Sequence, residues 1–237
     1  MSRKAPGFTL IELLVVMAII AILASIAIPG LMSARINANE SAAIATLKNL
    51  FSAQSQVKTS VSIDVNQNGV GEFGFFQELS GFRNVKASSG GGSVADSEGL
   101  QTVTPPVLSG AFGSVDASGR LMRAGYLFQL QLPGANGVPL REAGLAAAYP
   151  GIDAVFSENF WACFAWPTSF GTTGKRAFFV NQSGDILQTD NSLQRYSGTT
   201  TVPAVSAVLL PASSILMDAT LAINRTTADG GIWKVVN

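Results

Sequence analysis

The sequence predicts an α+β chain: a long, kinked amino-terminal helix laid on a mostly antiparallel β-sheet domain, with the first half of the helix apolar enough to cross a membrane. Three observations carry that prediction. Phe8 to Ile28 is a run of 21 residues with a single charge, Glu12. From Ile36 onward apolar residues recur at three- and four-residue steps, the period of one helix face. Beyond residue 61 the pattern changes to short β-branched and aromatic runs separated by Gly, Asn and Ser turns.

At 1.5 Å per residue, Phe8–Ile28 as a helix spans about 30 Å, the hydrocarbon thickness of a bilayer. Arg3 and Lys4 precede it, and positive charge stays on the cytoplasmic side, so the body of the chain is expected outside. A secretory signal peptide is the plain alternative, and Ala21 to Ala27 contains small residues that imitate its cleavage site. Such a peptide has an apolar core of about 7–15 residues and no glutamate near its start. A carboxylate inside a bilayer costs about 2.5–3.5 kcal/mol on insertion scales, so Glu12 calls for a partner.

Pro29-Gly30 follows. Proline removes the hydrogen bond to the Ser25 carbonyl and crowds that turn, which predicts a kink or local melting. The helix then resumes as an amphipathic stalk over 29–61, with Ile36, Ala43, Ile44, Leu47, Leu50, Phe51, Gln54, Val57 and Val61 on one stripe. Arg35, Asn39, Glu40, Lys48, Asn49 and Gln56 make a second face for water or neighbours. The β-rich domain occupies 62–237. Its expected strands are Tyr126–Leu132, Phe160–Ala165, Arg176–Val180, Ile186–Thr189 and Ile232–Val236. The first alternates apolar and polar residues, as a half-exposed strand does, and Asn181-Gln-Ser-Gly184 reads as a hairpin turn. Trp161, Phe164, Trp166, Phe178 and Phe179 are expected in the core under the stalk.

Composition narrows the chemistry. Charged residues are 13% of the chain, against about 25% in typical soluble domains, and the formal net charge is zero. No basic surface points to nucleic acid. There is no histidine and one cysteine, Cys163, so a Ser-His-Asp triad, a Cys-His pair, the usual zinc sites and an internal disulfide are all excluded. Gly171-Thr-Thr-Gly174-Lys175-Arg176 has the wrong glycine spacing for a phosphate loop, and Ser55-Gln-Val-Lys58 lacks companion motifs. The chain is read as a non-enzyme.

Asp64-Val-Asn66-Gln-Asn68-Gly69-Val-Gly-Glu72 sets oxygen ligands on alternate residues with glycine sixth, as in the first half of a calcium loop. The twelfth position is Phe75, so the closing glutamate is missing and Glu72, ninth, would have to serve. Calcium on Asp64, Asn66, Asn68 and Glu72 is one expectation; an Asn/Gly turn ending the long helix is the other. Asp185, Asp190 and Asn191 form a weaker oxygen cluster.

Gly7-Phe-Thr-Leu-Ile-Glu-Leu-Leu-Val-Val16 closely resembles the leader junction of type IV pilins and type II secretion pseudopilins. That resemblance implies a leader, 1–7, cut by a prepilin peptidase between Gly7 and Phe8, with methylation of the new Phe8 amino group. It implies that 8–28 stays as the membrane and filament-core helix, Glu12 falling in register on the family's acidic position, and that Pro29 loosens the helix on assembly. The implied partners are the peptidase, other pilin or pseudopilin subunits and an inner-membrane assembly platform. The implied location is the bacterial inner membrane, amino terminus cytoplasmic and domain outside. The carboxy-terminal disulfide loop of many major pilins is missing. The alternative reading is a membrane-anchored, calcium-dependent extracytoplasmic binding module.

Overall fold

A computed structural model describes residues 7–142, 144, 148–211 and 216–236; most of the expected leader, with Arg3 and Lys4, lies outside them. Helix α1 (Leu10–Thr59) runs unbroken for 50 residues, through Pro29 and Gly30. The expected single long helix across Pro29 is what forms, without the local melting that was one of the two expectations there. One missing N–H removes one bond of a ladder whose flanking turns hold it in place.

The helix ends at Thr59 rather than at residue 61. Val61 N donates to the Lys58 carbonyl and Ser62 N to the Val57 carbonyl, the paired bonds of a Schellman stop. Val61 takes the left-handed conformation there, φ 50°, and its side chain is exposed instead of closing the apolar stripe.

Seven strands form one antiparallel sheet: β1 (Arg120–Arg123), β2 (Tyr126–Pro133), β3 (Pro139–Arg141), β4 (Ala162–Pro167), β5 (Ala177–Asn181), β6 (Leu187–Thr189) and β7 (Lys234–Val235). The order is β7-β6-β5-β4-β2-β1, and β3 continues the β1 side of β2 by pairing Gln131–Pro133. The turn between β5 and β6 is the expected one: Gly184 N donates to the Asn181 carbonyl, and Gly184 has φ 82°. Small ladders pair Lys86–Ala87 with Ser97–Glu98 and Val94–Ala95 with Ile152–Asp153.

Strand alternation sorts the core into two layers. Tyr126, Phe128, Leu130 and Leu132 of β2, Cys163 and Ala165 of β4, and Phe178 and Val180 of β5 face α1 and meet Ala43, Leu47, Leu50, Ala53 and Val57. Leu127, Phe164, Trp166, Ala177 and Phe179 face the other way, against Val205, Val208, Leu209 and Trp233. Two expectations change. Strand β2 is buried along its whole length, because the carboxy-terminal segment covers its second face. Of the five aromatics, Trp161 and Phe178 lie in the α1 layer. Phe164, Trp166 and Phe179 pack on the far side, where Phe164 and Phe179 stand 4.8 Å apart and Trp233 meets both edge-on.

Candidate functional site

The amino-terminal half of α1 touches nothing in the domain. Phe8 to Arg35 is exposed throughout, with Ala24 alone intermediate, and the first buried side chain is Ile36. By length and composition this helix is able to cross a membrane. A face of Phe8, Leu10, Ile11, Leu14, Ile19, Leu23 and Ile26 open on all sides is not built for water.

Glu12 is tied locally. Thr9 is the N-cap, its Oγ1 accepting from Glu12 N at 3.3 Å, while Glu12 Oε2 accepts from Thr9 N at 2.9 Å and Thr9 Oγ1 at 2.8 Å. This is a capping box, and its signature, Thr-x-x-Glu ahead of an apolar run, stands in the sequence. Sequence reasoning treated Glu12 only as a charge awaiting a neighbour. In the single subunit it also starts its own helix, while among the described residues no cation answers it. Further along, Ser33 Oγ donates to the Pro29 carbonyl at 3.2 Å.

Where the stalk reaches the sheet, the polar face is used. Glu40, expected at the surface, is buried: Oε2 takes Arg176 Nε at 2.7 Å, and Oε1 takes the Lys175 and Arg176 amides at 2.9 and 3.1 Å. Asn39 Nδ2 donates to the Thr173 carbonyl at 2.8 Å. Gln54 exchanges two hydrogen bonds with the Gly74 main chain, at 2.7 and 3.0 Å, filling its place on the buried stripe as a backbone surrogate.

The loop leaving α1 separates the four expected ligands. Asp64 Oδ1 and Oδ2 accept from Asn68 N and Gly69 N at 3.1 and 2.9 Å, and Asn66 Oδ1 and Asn68 Oδ1 accept from Asn68 N and Val70 N. Glu72 does not join them. It is buried, accepting from Val65 N at 2.7 Å and Ser157 Oγ at 3.1 Å, with Lys86 Nζ at 3.6 Å. Burial raises the Glu72 carboxyl above its ordinary range, partly offset by Lys86 and those donors. The residue that meets the loop is Glu158, whose Oε1 accepts from Asn66 Nδ2 and Asn68 Nδ2 at 3.0 and 2.8 Å. Its distance in sequence hid it. Cys163 is wholly buried, which pushes its thiol up and leaves it without reactivity.

Residues 2–28 match the prokaryotic N-terminal methylation motif. Over these residues the chain is similar to the amino terminus of type IV pilins. The chain is similar to the type IV wide pilus major component PilA4 of Thermus thermophilus, 54% identical over 52 residues. That match spans 22% of this chain and 40% of the relative. No solved structure matches the chain.

Proposed function

We propose that this pilin-type subunit is processed and assembled from the bacterial inner membrane into a type IV pilus or a secretion pseudopilus. The observation that carries this reading is the bare apolar helix: 28 residues, Phe8 to Arg35, project from a domain whose core begins at Ile36. Lipid covers that surface in the stored subunit, amino terminus cytoplasmic and domain outside. Copies of the same helix cover it in the filament. A prepilin peptidase removes the leader by cutting between Gly7 and Phe8, the new amino group of Phe8 is methylated, and a membrane assembly platform extracts the subunit.

In the filament the Phe8 ammonium of one subunit neutralises Glu12 of another. A copy arriving at the wrong axial offset leaves both charges unpaired where water is scarce, so the pair sets register rather than adding stability. Thr9 satisfies one carboxylate oxygen of Glu12 but brings no charge. Pro29, with its missing hydrogen bond, is where the helix loosens during extraction. Mass spectrometry of the mature amino terminus tests the reading. N-methylated Phe8 is expected; an intact Met1, or a cut after Ala24 or Ala27, overturns it. Glu12→Ala is expected to leave the protein in the membrane and abolish filaments.

A further inference from the structure

Strand direction sets which loops lie at the end of the domain where α1 leaves it. Strand β5 starts beside Glu40, which takes the Lys175 and Arg176 amides, and its hairpin tip, Gly184, abuts the Phe51 ring. It therefore runs up the stalk, away from the exposed half of α1. Antiparallel pairing then brings the end of β1, the start of β2, the β4–β5 loop and the loop after β6 to the base of the domain. There Gly125 sits against Asn39, and Ser33, Asn37, Lys175 and Asp190 line one cleft of about 360 Å³. The base also carries Arg35, Arg123 and Arg195. Among the described residues none of these three, nor Lys175, pairs with a carboxylate. The Arg123 guanidinium lies 4.3 Å from the Phe112 ring centroid, its buried Nη1 without a hydrogen-bond partner, and that of Arg195 lies 5.8 Å from Phe170. Against them stand Asp190 and Asp229, the latter already held by Tyr196 Oη, Thr227 Oγ1 and Gly231 N. Asp64, Glu72 and Glu158 lie instead at the opposite end, where α1 stops. The chain as a whole is neutral, so its charge is separated along the stalk axis.

We infer that this basic end rests on the anionic phospholipid headgroups of the leaflet from which α1 emerges. That contact presupposes the stored state proposed above, with α1 across the bilayer and the domain outside. The apolar surface of α1 continues through Leu31 and Met32. At 1.5 Å per residue, Arg35 stands about 5 Å beyond Met32 and Glu40 about 12 Å. The headgroup layer is about 5–8 Å thick, so Arg35 lies within it. The long side chains of Lys175 and Arg195, in the loops beside Asn39 and Glu40, reach down to its phosphates. The loop after β6 holds one shape for that surface. Buried Asn191 exchanges two hydrogen bonds with the Tyr196 main chain, at 3.0 and 2.7 Å, and the turn between them presents Leu193 at 65% exposure, two residues from Arg195. An exposed leucine among unpaired cations suits an anionic lipid surface, the apolar group entering the acyl boundary and the charges meeting phosphate. Each basic residue adds about fivefold to binding at such a surface. Because α1 already tethers the domain there, contacts of that strength suffice.

Amide hydrogen exchange of the full-length protein in lipid nanodiscs tests this, comparing phosphatidylcholine alone with phosphatidylcholine mixed with phosphatidylglycerol. Segments 169–176 and 192–198 are expected to exchange about fivefold or more slowly over phosphatidylglycerol, a difference that about 1 M salt removes. Lys175→Gln combined with Arg195→Gln, both at exposed side chains, is expected to abolish the protection. Lys48→Gln, exposed on the stalk two turns above Glu40, is expected to keep it. Equal exchange over the two lipids overturns the inference, as does protection that survives the double substitution or the salt. Protection that follows the number of copies per disc, and not lipid charge, assigns the surface to a second subunit and overturns it as well. Alkaline carbonate extraction from vesicles separates the two readings. Release of the protein overturns the spanning helix and the lipid contact together, whereas retained protein with unprotected loops overturns the contact alone.

Discussion

A carboxyl shut away as thoroughly as that of Glu142 makes the whole domain sensitive to pH. Its side chain lies at the start of the short helix α2 (Phe76–Leu79), accepting from Phe76 N at 3.2 Å and Gln77 N at 2.9 Å. Burial pushes its pKa up to about 8, the Gln77 amide pulling the other way and Glu78 adding to the rise. The folded state thus holds a proton that the unfolded chain releases near pH 4.5. The resulting stability is complete below that pH and is lost as pH climbs through about 8. Denaturant unfolding should show the protein more stable at pH 5 than at pH 8.5, on the order of a few kcal/mol, with Glu142→Gln flattening the profile. An unchanged slope in that variant would place the sensitivity elsewhere. Nothing in the sequence marks Glu142, since its partners are main-chain amides 65 and 66 residues away. Gln54 was legible by contrast, because the three-four spacing put it on the buried stripe, although its bond to Gly74 was not.

At the scale of the element, α1 shows what periodicity can and cannot report. The spacing of Ile36, Ala43, Leu47, Leu50 and Val57 follows the face that meets the sheet, since one side of a helix is all a flat sheet touches. It could not report that Glu40 is buried, because Arg176, which pairs with it, arrives from β5's approach 136 residues later. It also extended the stripe to Val61, where the helix has already stopped. That stop rests on a β-branched residue in the left-handed region, a conformation costing an L side chain about 1–2 kcal/mol. Val61 is 40% exposed and belongs to neither core layer, so little is lost with its side chain. Val61→Gly is therefore expected to raise stability by about 0.5–1 kcal/mol, the gain trimmed by the greater freedom of glycine in the unfolded chain. Denaturation midpoints of the two proteins decide it. The far side of the sheet was the least legible part. Its cover is mostly loops and a short 3-10 turn at Val205–Val208, which carry no period to read, so Gln129 and Gln131 passed for solvent-facing residues.

Across the whole molecule, the two halves of α1 obey different solvents. Every side chain that the domain buries on α1 lies between Ile36 and Val57, and both core layers close without the first 35 residues. The exposed half adds apolar surface and no domain contacts. Removing it should then leave a folding unit intact while removing the need for detergent. A chain beginning at Ser33 keeps Ile36, Asn39 and Glu40 with their partners and offers the Ser33 hydroxyl as a new N-cap. What it loses is helix that packs on nothing, and such helix contributes little, since helical stability in proteins comes chiefly from the packed face. The truncated protein is expected to be a soluble monomer in light scattering. Its cooperative thermal transition should fall within a few degrees of the full chain's in detergent. A shallow, non-cooperative transition with exposed apolar surface would mean that the amino-terminal half supports the domain. In that event extraction of the helix during filament assembly would have to unfold the very surface it carries outward, which the separation of the two halves at Ile36 argues against.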